Sequence, residues 1–205
     1  MTQTDPPPNL HGSSPDEAAV VLLLIDVIND FAFPGSENLL RFARPMAERI
    51  AGLKARAKEA GIPAIYVNDN FGRWRSDFRA TVEHCSRSES LGQEIATRLH
   101  PEPDDYFVLK PKHSAFYCTT LDILLRDLKT RAIILVGVAG DICVLFTAND
   151  AYMRGLALFV PEDCIASNSE EKNRAALTQM QTLLKADIRS SDKLSYDSLL
   201  RQDRP

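Results

Sequence analysis

The sequence predicts an α/β fold in three layers, α/β/α, with a mostly parallel sheet of about six strands, and three observations predict it. Short continuous apolar runs alternate along the chain with stretches whose apolar residues recur at helical spacing. The runs are rich in β-branched residues and lack the polar alternation of a half-solvated strand, as expected of strands covered on both faces. Three of them lead into a side chain capable of chemistry: Asp26, Lys110 and, past a glycine turn, Cys143. In an open parallel sheet the carboxyl ends of the strands share one edge, and ligands bind there.

The elements follow in order. Residues 1–17 hold three consecutive prolines and several small polar residues, and are expected to form a flexible N-terminal tail. Ala18 to Ile25 is the first strand and presents Asp26 at its end. A carboxylate there is costly unless solvated, paired or used. Pro45 is expected to open an amphipathic helix with Met46, Ile50, Leu53 and Ala57 on one face, closed by Gly61. Ile62 to Val67 is the second strand, and the loop after it, NDNFGRWRSDF, has the aromatic and polar content of a pocket wall. Trp74 and Phe71 in that loop serve equally well to line a site or to pin the loop to the body.

Leu91 to Leu99 is expected to be a short helix and Tyr106 to Leu109 a strand leading to Lys110. Thr119 with Asp122 has the spacing of a capping box, ahead of a helix with a Leu121, Leu124, Leu125, Leu128 stripe. Ala132 to Val136 is the central strand, followed by the turn Gly137-Val138-Ala139-Gly140. Val144, Thr147, Ala148 and Ala151 then fall at helical spacing up to Gly155, which puts Cys143 in the first turn of a helix. Leu156 to Val160 is a further strand, Ser167 with Glu170 marks another helix start, and Asp187 to Arg189 is read as a last short edge strand. The whole is an open, Rossmann-like sheet in one domain, residues 18–192, with a C-terminal tail over 193–205.

Composition narrows the function. A formal net charge of −4, with Lys and Arg scattered among acids, offers no basic face for nucleic acid. The apolar runs are too short to cross a bilayer, so no membrane is expected. Cys85, Cys118, Cys143 and Cys164 have no C-x-x-C spacing and read as free thiols of a reducing, cytoplasmic compartment. No strand is followed by a G-x-G-x-x-G or a P-loop signature, which disfavours a nucleotide-binding protein.

An acid, an ammonium and a thiol at one sheet edge have roles that follow from their charges. Lys110 is expected to oppose the Cys143 thiolate and lower the thiol's pKa, while Asp26 takes its proton and returns it to a leaving amine. The backbone amides of Ala139 and Cys143 are the expected oxyanion hole. This is nucleophilic catalysis through a thioester, and it calls for no cofactor and no metal. Phe31, Asn70, Trp74 and Phe116 are the candidates to line the pocket of a small-molecule substrate. Against this stands the plainer reading that a single cysteine in an apolar helix is packing.

IDVINDF at Ile25 to Phe31, LKPKHSAF at Leu109 to Phe116, and GVAGDICVLFTANDAYMRG from Gly137 to Gly155 resemble motifs of the isochorismatase-like cysteine hydrolase superfamily, whose members include isochorismatases, nicotinamidases and N-carbamoylsarcosine amidohydrolases. The resemblance runs from about Val20 to about Ser190. It implies an Asp-Lys-Cys triad at Asp26, Lys110 and Cys143, with Lys110 preferred over Lys112 because it directly follows the strand. It also implies a non-proline cis peptide near Val138-Ala139 that aims the Ala139 amide into the oxyanion hole, and a homo-oligomer, dimer or tetramer. The activity implied is hydrolysis of a C–N bond in a small amide, carbamoyl or ureido compound.

Three positions depart from the family pattern. Ile28 stands where Gln is frequent, Gly140 where Thr or Ser precedes the Asp of the turn, and Asp69-Asn70-Phe71 where nicotinamidases carry Asp-x-His for a metal. Two other readings stay open at this point: a vinyl ether hydrolase of the isochorismatase type, with Asp26 as the acid and Cys143 a bystander, and a non-catalytic binding domain on the same scaffold.

Overall fold

A computed structural model describes residues 17–72, 77–196 and 199. Strand β1, Val20–Ile25, is buried at every position, as its unbroken apolar sequence requires. Its even and odd residues face opposite ways: Leu22 and Leu24 enter one core, Leu23 and Ile25 the other. Strands β2 (Ala64–Asp69), β3 (Tyr106–Lys110), β4 (Ala132–Val138) and β5 (Ala157–Phe159) join it in the order β3-β2-β1-β4-β5, and the two-residue β6, Ile165–Ala166, pairs with the end of β4. Every pairing is parallel.

Helices α1 (Ser36–Glu59), α2 (Phe78–Cys85) and α3 (Gln93–Arg98) cover one face of the sheet, and α4 (Leu121–Asp127), α5 (Leu145–Met153) and α6 (Glu170–Leu184) the other. The strand order reverses direction between β1 and β4, the point where open α/β sheets form a crevice at their carboxyl ends. Register aligns that edge: Ile25 pairs with both Val67 and Gly137, and Asp69 pairs with Lys110. Gly137 is demanded by this close approach, since it holds φ 118° and a Cβ there would sit 2.1 Å from the Ile25 carbonyl oxygen.

Several elements differ from the sequence reading. Helix α1 begins at Ser36, with Pro45 inside it, because Leu39, Leu40 and Ala43 also bury and packing overrides the missing N–H. Helix α2 is an addition, capped by Asp77, whose side chain accepts from the Ala80 amide. The chain after β4 first forms a π-helical turn, Gly140–Val144, before α5. The sixth strand is Ile165–Ala166, whereas Asp187 contributes only a single bridge to Phe159. The α6 cap moves as well, from Ser167 to Ser169, which accepts from the Lys172 amide.

Residues 1–16 of the expected N-terminal tail lie outside the described residues. Of the expected C-terminal tail, Leu194 and Leu199 are buried against the α1 side of the sheet, and the Tyr196 hydroxyl donates to the Leu53 carbonyl at 3.2 Å. Among the described residues no helix is long and apolar enough to cross a membrane.

Candidate active site

The sheet edge brings Asp26, Lys110 and Cys143 together. Lys110 ends β3 and is fully buried, and its ammonium has three hydrogens and three acceptors: Asp26 Oδ2 at 2.8 Å, the Lys112 carbonyl at 3.2 Å and Cys143 Sγ at 3.5 Å. Lys112 thus serves through its carbonyl, while its side chain belongs to an exposed residue. Asp26 is 5% exposed and adopts φ 51°, a left-handed conformation that Asp tolerates better than most residues. The Asp69 amide donates to Asp26 Oδ1 at 2.7 Å, so both carboxylate oxygens are engaged.

Cys143 sits in the π turn after β4, partly exposed, and two contacts hold that turn to the β3 loop. Thr147, wholly buried on α5, accepts from the Ala115 amide at 3.0 Å and donates to the Cys143 carbonyl at 2.7 Å. Ser114 donates to the Asp150 carboxylate one turn further along α5. The Val138–Ala139 peptide is cis, at the position the family resemblance implied. The Ala139 carbonyl accepts from the Ile142 and Val144 amides at 3.0 and 3.1 Å.

Lys110 lowers the thiol's pKa as expected, but burial reverses the net direction. The Cys143 thiol is pushed up to about 12, not down, because burial and the neighbouring Asp26 carboxylate outweigh Lys110. Burial also raises Asp26 despite its Lys110 partner. Burial opposes the Lys110 charge too, but Asp26 and Cys143 overcome it and hold the ammonium firmly charged. The thiol and the Asp26 carboxyl are thus both shifted toward their protonated forms and Lys110 toward its charged one. Moving the Cys143 proton to Asp26 would leave a thiolate paired with Lys110 and remove the carboxylate charge that opposes it.

The pocket candidates fall in different places. Phe31 is 1% and Phe116 5% exposed, each within a core cluster, and the Arg154 guanidinium lies 4.4 Å over the Phe116 ring. Asn70 is buried beside the site, its amide donating to the Lys110 carbonyl at 3.0 Å. Trp74 lies outside the described residues. A residue that sequence reasoning missed is His113, exposed, with Nδ1 3.9 Å from Cys143 Sγ and its ring tilted against Phe146 at 5.6 Å. Its place in the LKPKHSAF motif was visible, but the contact spans thirty residues of chain and leaves no spacing signal.

A metal does not fit beside Asp69. Oδ1 accepts from the Phe71 amide at 2.6 Å, Oδ2 lies 3.9 Å from the Lys110 ammonium, and Phe71 offers no ligand. Among the described residues no group of three His, Cys, Asp or Glu is placed to hold a metal ion.

The fold and this edge define a class: a parallel α/β protein whose half-open thiol is held against a buried acid and a buried ammonium. Residues 20–192 match the family model of the Isochorismatase domain, and the chain belongs to that family. It is 44% identical over 178 residues to YaaI, an uncharacterized isochorismatase family protein of Bacillus subtilis, a match spanning 87% of this chain and 97% of that one. It is 29% identical over 167 residues to the ureidoacrylate amidohydrolase RutB of Methylorubrum extorquens, covering 68% of this chain and 66% of that one. Among solved structures, N-carbamoylsarcosine amidase from Thermoplasma acidophilum superposes with a TM-score of 0.65 at 25% identity, covering 86% of this chain and 98% of that one. The pyrazinamidase/nicotinamidase of Streptococcus mutans gives 0.64 at 28% identity, with coverages of 82% and 99%. The last three relatives are amidases or amidohydrolases by name.

Proposed function

We propose that the protein is a cysteine hydrolase that cleaves the C–N bond of a small amide, carbamoyl or ureido compound through an acyl group carried on Cys143. The observation that carries this reading is the Lys110 ammonium, within 2.8 Å of Asp26 and 3.5 Å of the Cys143 sulfur and shut away from water.

Each step assigns one bond. Asp26 takes the Cys143 proton as Sγ attacks the carbonyl carbon, and the S–C bond forms against the thiolate-stabilising charge of Lys110. The carbonyl oxygen becomes an oxyanion, received by the Ala139 and Cys143 amides. The C–N bond breaks with the nitrogen taking the proton from Asp26, so the leaving group departs as a neutral amine or urea nitrogen. Water then adds to the acyl carbon, giving its proton to Asp26, and the C–S bond breaks as sulfur recovers a proton.

This reading includes a cytoplasmic setting, supported by four free thiols, and a homo-oligomer. The oligomer is supported by the exposed apolar face of Ile142, Phe146 and Met153 beside the site. Sedimentation velocity showing a monomer at micromolar concentration would remove that part.

Mass spectrometry of the intact protein after brief exposure to a panel of small amides, carbamoyl compounds and ureides tests the chemistry. An acyl increment on wild-type protein, mapped to Cys143 and lost in Cys143→Ala, is expected. A vinyl ether hydrolase acting through Asp26 alone would instead form no adduct and keep its turnover in Cys143→Ala.

A further inference from the structure

His113 stands where the acyl group must go. Asp26 and Lys110 close the inner side of Cys143 Sγ, being 5% and 0% exposed, so a carbon bonded to sulfur projects its substituents toward the open side. On that side the His113 imidazole presents Nδ1 at 3.9 Å from Sγ. The carbonyl carbon is one bond from sulfur and its remaining substituent two bonds away, which brings that substituent against the imidazole.

The imidazole is held there from both flanks. Lys110 donates to the Lys112 carbonyl on one side of it, Ser114 donates to Asp150 and the Ala115 amide to Thr147 on the other, and the ring leans on Phe146. A neutral imidazole offers a lone pair or an N–H at Nδ1 by exchanging tautomers. As the S–C bond forms, sulfur becomes a weak acceptor and stops drawing an Nδ1 proton, which leaves the Nδ1 lone pair for an N–H on the acyl carbon already in the acylation transition state. An alkyl substituent at the same place would desolvate Nδ1 and give nothing back.

We infer that His113 determines specificity on the acyl side, selecting groups whose carbonyl carbon bears an N–H, as in carbamoyl and ureido compounds, over plain carboxamides. The inference rests on the cysteine hydrolase reading above and narrows its substrate class.

Two isosteric probes test it: p-nitrophenyl N-methylcarbamate and p-nitrophenyl propionate, which place NH or CH2 next to the carbonyl. In each, the S–C bond forms, the C–O bond breaks and p-nitrophenolate leaves, so the rate is read from its colour and the label on Cys143 from the intact mass. The measured quantity is the ratio of the two acylation rate constants, in which the probes' intrinsic reactivities cancel between variants. His113→Phe keeps a ring against Phe146 and removes the nitrogen, and the carbamate-to-propionate ratio is expected to fall about tenfold. His113→Asn, whose amide can stand near the Nδ1 position, is expected to bring the ratio back to within roughly threefold of wild type. An unchanged ratio in His113→Phe, whether both rates hold or both drop together, overturns the specificity role and leaves the hydrolase reading standing. Wild-type protein that takes neither label at Cys143 overturns both.

Discussion

Lys110 and Asp26 form an ion pair of 2.8 Å at the closed end of the site, with the lysine wholly buried and the aspartate 5% exposed. A buried pair of this kind is weak evidence for stability, since two desolvated charges do little better than well-packed apolar residues. Its value lies in the third partner. The same ammonium reaches Cys143 Sγ at 3.5 Å, so a proton passing from sulfur to Asp26 converts one ion pair into another without moving the lysine.

Single replacement should therefore affect both stability and chemistry. Lys110→Ala leaves the Asp26 carboxylate buried without its cation, and Asp26→Asn does the reverse to Lys110. Each should abolish acylation and lower the unfolding free energy by about 3–5 kcal/mol, whereas the double variant Asp26→Asn/Lys110→Met should recover much of the stability and none of the activity. Urea denaturation midpoints measure the first quantity and acyl labelling the second. Single variants as stable as wild type would mean that water reaches the pair.

The direction of the thiol shift gives a pH prediction. Because burial and Asp26 hold Cys143 protonated up to about 12, above the ordinary cysteine value of 9.0, its iodoacetamide alkylation should lag behind a free thiol between those pH values and keep rising beyond 9. Asp26→Asn removes the charge that opposes the thiolate, so Cys143 should alkylate faster, on the order of tenfold at neutral pH, in a protein that no longer turns over. Peptide mapping separates Cys143 from the exposed Cys118. Slower alkylation in Asp26→Asn would mean that Asp26 favours the thiolate rather than opposing it.

Gly140 departs from the family pattern for a reason visible in the packing. A Cβ at this position would lie 2.5 Å from Asn173 Oδ1, 3.0 Å from Ser167 Oγ and 3.2 Å from Ile165 Cδ1. Ser167 donates to Asn173 at 3.0 Å and accepts from the Asp141 amide at 3.1 Å, so α6 fills the space and supports the turn that carries the nucleophile. Gly140→Ser, which restores the family's residue, should destabilise by about 1–3 kcal/mol by overpacking. Asn173→Ala in the same chain should relieve part of that loss, read as a melting temperature. Additive losses in the double variant would deny the coupling.

The legibility of this chain follows its burial. Strands β1 and β4, buried on both faces, announce themselves as unbroken apolar runs, and their ends place Asp26 and the Cys143 turn without tertiary information. Helix α1 starts nine residues before the Pro45 start read from sequence, because its N-cap, Gly35, makes no side-chain bond and gives no cap signature. Helix α2 did carry a signal, Asp77 followed by Phe78, Thr81, Val82 and Cys85 at helical spacing, which the aromatic content of the preceding loop obscured. The net rise of the Cys143 thiol is not legible in the sequence, because composition reports the presence of Lys110 but not how deeply Cys143 and Asp26 are buried. His113 stayed hidden because only the fold sets it against the sulfur.

Thr147 joins the two halves of the site through a single oxygen, and its removal should separate positioning from chemistry. Its hydroxyl accepts from Ala115, on the loop that follows Lys110 and carries His113, and donates to the Cys143 carbonyl in the π turn. Thr147→Val preserves the shape and strips both bonds, leaving the buried Ala115 amide without its acceptor, a loss of about 1–3 kcal/mol. The larger effect should be on rate, since a displacement of the π turn by a fraction of an ångström misaligns Sγ with Lys110 at the end of β3 and is expected to lower kcat by about tenfold to a hundredfold with a smaller change in KM. Thr147→Ser keeps the oxygen and should restore most of kcat. If Thr147→Val lost stability but kept kcat, the bridge would be packing alone. If Thr147→Ser failed to restore kcat in a stable protein, the methyl group rather than the hydroxyl would be holding the loop.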